Sequence, residues 1–180
     1  MGRHAKTVTS KCGIDRRESG YYSTPDFIVD YITEELLKLN PKGDSVLDPC
    51  VGKEEFLGPF LDRGLSASSF DIQDFKSEYR SHFIKKDFLE YFAELVEQNI
   101  FQEFVSLDYD FIVANPPYNC HETDYIRQNK EKLKSLFGDI GVGNMYSMFL
   151  SAIIDCAKEG AFLGILTYDS FLTARTHEPL

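Results

Sequence analysis

Asp110-Phe111-Ile112-Val113-Ala114-Asn115-Pro116-Pro117-Tyr118 reads as a buried strand that runs straight into a rigid turn. Phe111, Ile112 and Val113 form a short apolar run with β-branched members, the pattern of a strand covered on both faces. Pro116 and Pro117 stop it, because neither donates to a ladder and each fixes φ. Pro116 also keeps Asn115 out of the helical region. An Asn side chain and the neighbouring carbonyls are thereby held at a strand's carboxyl end. In an open α/β sheet that edge is where ligands bind.

Such a turn is suited to one kind of chemistry. An exocyclic amino group on a base is a poor nucleophile, because its lone pair is delocalised into the ring. Two acceptors on its N–H bonds localise the pair and accept the charge that develops during attack, and pre-organised groups do so without reorganising. The Asn115 side-chain oxygen and the carbonyl of Asn115 or Pro116 can supply them. Tyr118 adds a flat face for stacking a base, worth ~1–3 kcal/mol in nucleic-acid sites. Asn-Pro alone is a common turn signal. The full Asn115-Pro116-Pro117-Tyr118 after an apolar strand is more restrictive.

Upstream, strands and helices alternate. Thr24-Pro25-Asp26, after Gly20-Tyr21-Tyr22, looks like a helix start with Thr24 as N-cap and Pro25 as first helical residue. Phe27, Ile28, Tyr31, Ile32, Leu36 and Leu39 would form its apolar face, and Asn40-Pro41-Lys42-Gly43 would end it. Ser45 to Asp48 is a strand, followed by the turn Pro49-Cys50-Val51-Gly52, a nucleotide-binding layout. Ser66 to Ile72 is a second strand. Its Asp71 comes a little over ~20 residues after Asp48, near the spacing of a ribose-binding carboxylate. Phe83 to Leu89 is a third strand leading to a turn at Asp87-Phe88, and Tyr91 to Phe104 is a helix.

Beyond Tyr118 come a polar helical stretch from His121 to Lys134, a glycine loop from Gly138 to Gly143, and a helix from Asn144. A fifth strand spans Phe162 to Leu166, and Tyr168 to Leu172 opens a further helix. The alternation predicts an α/β fold, a mostly parallel sheet with helices on both faces.

The ordered set resembles the S-adenosylmethionine-dependent N6-adenine DNA methyltransferases of restriction-modification systems, type I and type II. The set is aromatic–Thr24-Pro25, Asp48-Pro49-Cys50-Val51-Gly52, Asp71, Asp87-Phe88 and Asn115-Pro116-Pro117-Tyr118, over roughly residues 19–172. The likeness is to their amino-terminal catalytic part. It implies a Rossmann-like methyltransferase fold and direct transfer of a methyl group to a flipped adenine. Asn115, Pro116, Pro117 and Tyr118 would carry the chemistry, with Asn115 also beside the cofactor. Tyr22 and Thr24 would close over the methionine end of S-adenosylmethionine, and Asp48, Pro49, Cys50 and Gly52 would hold its amino-acid part. Asp71 would take the ribose hydroxyls, Ile72 would pack on the adenine, Asp87 would accept from the adenine amino group, and Phe88 would cover the ring.

Two positions depart from the pattern. Ser23 stands where the family often has Tyr or Phe, and Lys53-Glu54 follows Gly52 where the family reads Gly-x-Gly. A side chain at Glu54 adds a Cβ and a negative charge near the cofactor carboxylate, offset by Lys53, unless it points outward as the first turn of a helix. Gly58-Pro59 would interrupt that helix early.

The chain has 180 residues, 43% of them apolar, enough for one domain with a sizeable core. No apolar run approaches the ~20 residues of a membrane span, and the amino terminus lacks a secretory h-region. Cys12, Cys50, Cys120 and Cys156 form no C-x-x-C pair, so no metal site is expected, and a cytoplasmic protein with reduced thiols fits. Cys120-His121 are adjacent, a spacing that rarely serves one metal.

A net charge of −10 suits an autonomous DNA binder poorly. Residues 1–18, with Arg3, Lys6, Lys11, Arg16 and Arg17, are expected to be a poorly ordered basic terminus, and residues 19–180 a catalytic domain ending after the fifth strand. DNA contact is then expected mainly through a carboxyl-terminal target recognition domain or specificity subunit that these residues lack, with a restriction subunit as a further partner. Two other readings stay open. Protein-glutamine and RNA amino-methyltransferases share Asn-Pro-Pro-Tyr, although their cofactor loop more often reads Asp-x-Gly-x-Gly-x-Gly. A truncated remnant or non-catalytic subunit would also explain Glu54 and the acidic balance.

Overall fold

The computed structural model describes residues 21–98, 106–117, 124–138 and 145–167. In chain order these form α1 (Asp26–Leu39), β1 (Ser45–Asp48), α2 (Gly58–Asp62), β2 (Ser66–Asp71), β3 (His82–Lys85), α3 (Phe88–Gln98), β4 (Phe111–Ala114), α4 (Asp124–Gln128), α5 (Lys130–Leu136), α6 (Met145–Cys156) and β5 (Phe162–Ile165). The strands make one sheet in the order β3-β2-β1-β4-β5, and every pairing is parallel. This is a Rossmann-like methyltransferase fold. The chain runs outward from β1 through β2 to β3, then returns to the other side of β1 for β4 and β5. The reversal opens a crevice above the carboxyl ends of β1 and β4, the place such sheets keep for ligands.

Strand side chains alternate between two cores. Val46, Phe111 and Val113 face one core with Val29 and Leu36 of α1 and with Val51, Phe56, Leu57 and Phe60. Leu47, Ile112 and Ala114 face the other, with Phe88, Leu89 and Phe92 of α3, Leu133 of α5, and Met148, Phe149, Ala152 and Ile153 of α6. All four residues of β4 are fully buried, as an apolar run without polar alternation requires.

Four local expectations change. The face of α1 turned to the protein carries Val29, Thr33 and Leu36, whereas Phe27, Tyr31 and Leu39 are 74%, 67% and 62% exposed. The docking partner sets this rotation: a Cβ on Gly164 of β5 would fall 2.7 Å from Ile32 and 2.8 Å from Leu36. Thr24 is not the helix cap, since Pro25 holds that position and no side chain caps the helix. Gly58-Pro59 does not interrupt a helix but begins α2, with Pro59 in its first turn. The third strand ends at Lys85 rather than reaching Leu89, and Phe88 starts α3 directly after Asp87. Tyr118, Cys120, the loop 139–144, the stretch from Tyr168 and the basic residues 1–18 lie outside the described residues. No described helix is long and apolar enough to cross a membrane.

Candidate active site

The site is assembled where β1, β2 and β4 end. Asp48 closes β1 and is 2% exposed. Its Oδ1 accepts the Cys50 N–H at 3.0 Å, which turns the chain through buried Pro49. The loop then lies over the end of β2. Val51 N–H reaches the Phe70 carbonyl at 2.9 Å, and Gly52 N–H reaches Asp71 Oδ2 at 2.9 Å. Gly52 has φ +53°, which a glycine adopts without strain. Asp71 Oδ1 also accepts the Gln73 N–H at 3.2 Å. Beside it Ile72 is 41% exposed, an uncovered apolar surface at the strand end. Asp87 is buried and turns its Oδ1 to the Leu89 N–H at 2.9 Å, within the first turn of α3. Phe88, expected to cover an adenine ring, is 1% exposed and enclosed by Phe70, Tyr91 and Phe149. Its ring offers no open face.

The carboxylates disturb one another. Burial pushes the Asp48 carboxyl up to about 8, opposed by the Cys50 N–H and reinforced by the charges of Asp71 and Glu55. Burial likewise raises Asp71 to about 6, against three backbone donors and with a push from Asp87. The Cys50 thiol is raised by burial and then by Asp48 and Asp71, while the Asn115 backbone pulls the other way. The edge therefore carries carboxyls that burial holds toward the neutral form. It is matched to a ligand that brings cationic groups and hydroxyl donors.

Asn115 leaves β4 and turns its amide across this edge. Its Nδ2 donates to the Tyr22 carbonyl at 3.1 Å and to Thr24 Oγ1 at 3.0 Å. A carbonyl can only accept, so these bonds fix which end of the amide is nitrogen. Asn115 Oδ1 is then buried with no hydrogen-bond partner among the described residues. A buried acceptor left in that state costs about 1–3 kcal/mol. Pro116 behind it is buried and Pro117 half-buried.

The structure thus brings Tyr22, Thr24, Asp48, Pro49, Cys50, Gly52, Asp71, Ile72 and Asn115 to the same strand-end region. Thr24 earns its place through Asn115 rather than through the helix. One residue escaped the sequence reading. Tyr21 lies against the glycine turn. Its hydroxyl bonds Glu55, its ring stacks on Phe75 at 4.9 Å, and Lys53 Nζ sits 5.7 Å from the ring centre. Glu54 turns away from the position feared for it. Its carboxylate is buried against Lys76, Arg80 and Ser81, so it neither extends a helix outward nor lies exposed over the turn. No group of His, Cys, Asp and Glu among the described residues could hold a metal ion.

The sequence has relatives among known proteins. A family model described as Eco57I restriction-modification methylase matches residues 29–180. The modification methylase CviBIII of Paramecium bursaria Chlorella virus NC1A is 25% identical over 179 residues, covering 97% of this chain and 44% of that protein. The chain therefore spans less than half the length of this curated relative. Among solved structures, the sugar N-methyltransferase KedS8 from a Streptoalloteichus species aligns with a TM-score of 0.49 at 12% identity, covering 97% of this chain and 60% of that one.

Proposed function

The chain belongs to the Eco57I restriction-modification methylase family, and from that premise we propose that it is the catalytic region of a DNA methyltransferase acting on the N6 amino group of adenine. The observation that carries this reading is the orphaned Asn115 Oδ1. It is a buried acceptor, fixed in direction by Tyr22 and Thr24, at the strand end where the fold keeps its ligands. An amino group has the donor such an acceptor lacks.

S-adenosylmethionine fits the remaining groups by their chemistry. When bound, it supplies a methyl group on a positively charged sulfur. Asp48 and Asp71 offer a carboxylate edge to its cationic amino-acid end and to its ribose hydroxyls, and Ile72 offers an apolar surface to its adenine. Gly52, with no side chain, lets Tyr21 rest against the turn.

Asn115 Oδ1 and the carbonyl of Asn115 or Pro116 accept from the target amino group and draw its lone pair out of the ring. With S-adenosylmethionine bound, the methyl group would pass to N6, the electron pair of the carbon–sulfur bond staying on sulfur and one amino proton leaving to solvent. A base inside a duplex cannot be reached this way, so the adenine must be flipped out. Tyr118 is proposed as its stacking face.

The test has two parts. Calorimetry should show S-adenosylmethionine binding that Asp71→Ala weakens, each lost charge-assisted bond being worth ~1.5–3 kcal/mol. Mass spectrometry of nucleosides from DNA incubated with protein and cofactor should show N6-methyladenine. N4-methylcytosine would move the target to another base. Methylated glutamine in a protein substrate, with untouched DNA, would overturn the reading.

A further inference from the structure

Glu54 combines two costly features. Among the described residues it is the one non-glycine at positive φ, +69°, and a side chain there is strained. Its carboxylate is also buried, the residue being 5% exposed. Burial would raise its pKa, but the Lys76 bond and the donors of Ser81 and Arg80 outweigh it and hold the group below the usual carboxylate range. Oε1 accepts the Ser81 N–H at 2.8 Å, the Ser81 hydroxyl at 2.7 Å and the Arg80 N–H at 3.0 Å. Oε2 meets Lys76 Nζ at 2.5 Å.

All these donors lie on one segment, the connection that leaves Asp71-Ile72 and returns to β3. The same segment is tied back to the glycine turn. Tyr79 donates its hydroxyl to the Gly52 carbonyl at 3.0 Å and accepts the Phe75 N–H at 2.9 Å. Phe75 in turn stacks on Tyr21, and the Ser81 hydroxyl also pairs with Ser69 at 2.7 Å. Glu54 and Gly52 are therefore two ends of one clamp that closes residues 73–81 onto the turn.

We infer that Glu54 is a positioning residue for cofactor binding. Its buried carboxylate sets residues 73–81 against the Gly52 turn and so fixes the wall beside Asp71 and Ile72 before any ligand arrives. This rests on the functional reading above. Strain at its φ is retained because no glycine could supply the carboxylate. A wall already in place spares the ligand the cost of ordering it.

The test is calorimetry of the full 180-residue chain with S-adenosylmethionine, together with amide exchange of the ligand-free protein. Glu54→Gln keeps an acceptor for Arg80 and Ser81 and should bind within roughly threefold of the unaltered chain, whereas Glu54→Gly relaxes the backbone, frees the segment and should bind roughly tenfold more weakly. Exchange at the Arg80 and Ser81 amides should accelerate in Glu54→Gly and stay slow in Glu54→Gln. Cofactor binding by Glu54→Gly as tight as the unaltered chain overturns the inference. Should Glu54→Gly fail to fold, Ser81→Ala removes one donor and leaves the Glu54 backbone alone; it should weaken binding roughly threefold, and unchanged affinity overturns the inference. Absence of cofactor binding by the unaltered chain is a separate result that sinks the functional reading itself.

Discussion

Asn115 and Thr24, 91 positions apart, share a hydrogen bond of 3.0 Å that runs from the amide nitrogen of Asn115 to the Thr24 hydroxyl. With the Tyr22 carbonyl as second acceptor, it commits the amide to one orientation and leaves Oδ1 to be satisfied by something else. The segment before α1 is thus part of the machinery of β4.

The first prediction separates side chain from backbone at this joint. Thr24→Val removes an acceptor of similar shape and should lower turnover about tenfold, the worth of one net hydrogen bond, while Thr24→Ser restores it. Tyr22→Ala should leave the Asn115 orientation intact, because Tyr22 contributes its carbonyl there. Asn115→Ala should cost ~10²–10³ in kcat with cofactor affinity nearly unchanged. Single-turnover methylation beside calorimetry would decide. Equal losses in Thr24→Val and Thr24→Ser would mean that the hydroxyl does not orient Asn115.

The second prediction follows from the raised carboxyls. Asp48 and Asp71 are held up to about 8 and about 6 in the folded chain, above the ~3.9 of an unfolded Asp. The folded state therefore binds more protons in this window. The stability these groups contribute is fully present below the unfolded value and is lost as pH rises, through about 6 for Asp71 and about 8 for Asp48. Thermal melts of the ligand-free chain should fall over that range, and Asp48→Asn should flatten the slope and stabilise the chain at its upper end. A cationic ligand favours the ionised carboxylates, so its affinity should rise with pH and its binding should release protons. Calorimetry in buffers of different ionisation enthalpy measures that release. A pH-independent affinity would show that no cationic group reaches these acids.

Much of this arrangement could be read from residues. Each strand that announced itself by an apolar run and a closing Asp or Pro is present, because Asp48, Asp71 and Asn115-Pro116 both end a strand and carry a polar group to the edge. What could not be read depends on partners remote in sequence. The expected face of α1 holds in part: Ile32 and Leu36 turn to the core, but Phe27 and Tyr31, which weigh heavily in any apolar pattern, stand exposed, because the contact is set by the bare backbone of Gly164. Thr24 has every mark of an N-cap, and only the position of Asn115 diverts its hydroxyl. Glu54 shows itself as a missing glycine, but where its carboxylate turns is decided by Lys76, Arg80 and Ser81, more than 20 residues on.

The third prediction concerns the closeness of Tyr21 to the glycine turn. A Cβ on Gly52 would fall 2.6 Å from a Tyr21 ring carbon, and the residue has φ +53°. Gly52→Ala thus carries two separable costs. The left-handed backbone accounts for ~1–2 kcal/mol. The collision accounts for a further ~1–3 kcal/mol, since a stacked ring bonded to Glu55 cannot simply turn aside. Tyr21→Ala removes the ring and leaves the backbone cost. In a double-mutant cycle followed by urea unfolding, the penalty of Gly52→Ala should therefore shrink to the backbone part when Tyr21→Ala is already present, so that the double variant loses less stability than the two single variants together, by the size of the collision. Tyr21→Phe keeps the ring but loses the Glu55 bond, so it should reduce the coupling only in part, because a ring no longer tethered can shift. A cycle with no coupling would mean that Tyr21 does not rest on Gly52 in solution and that the turn is open to approach from that side.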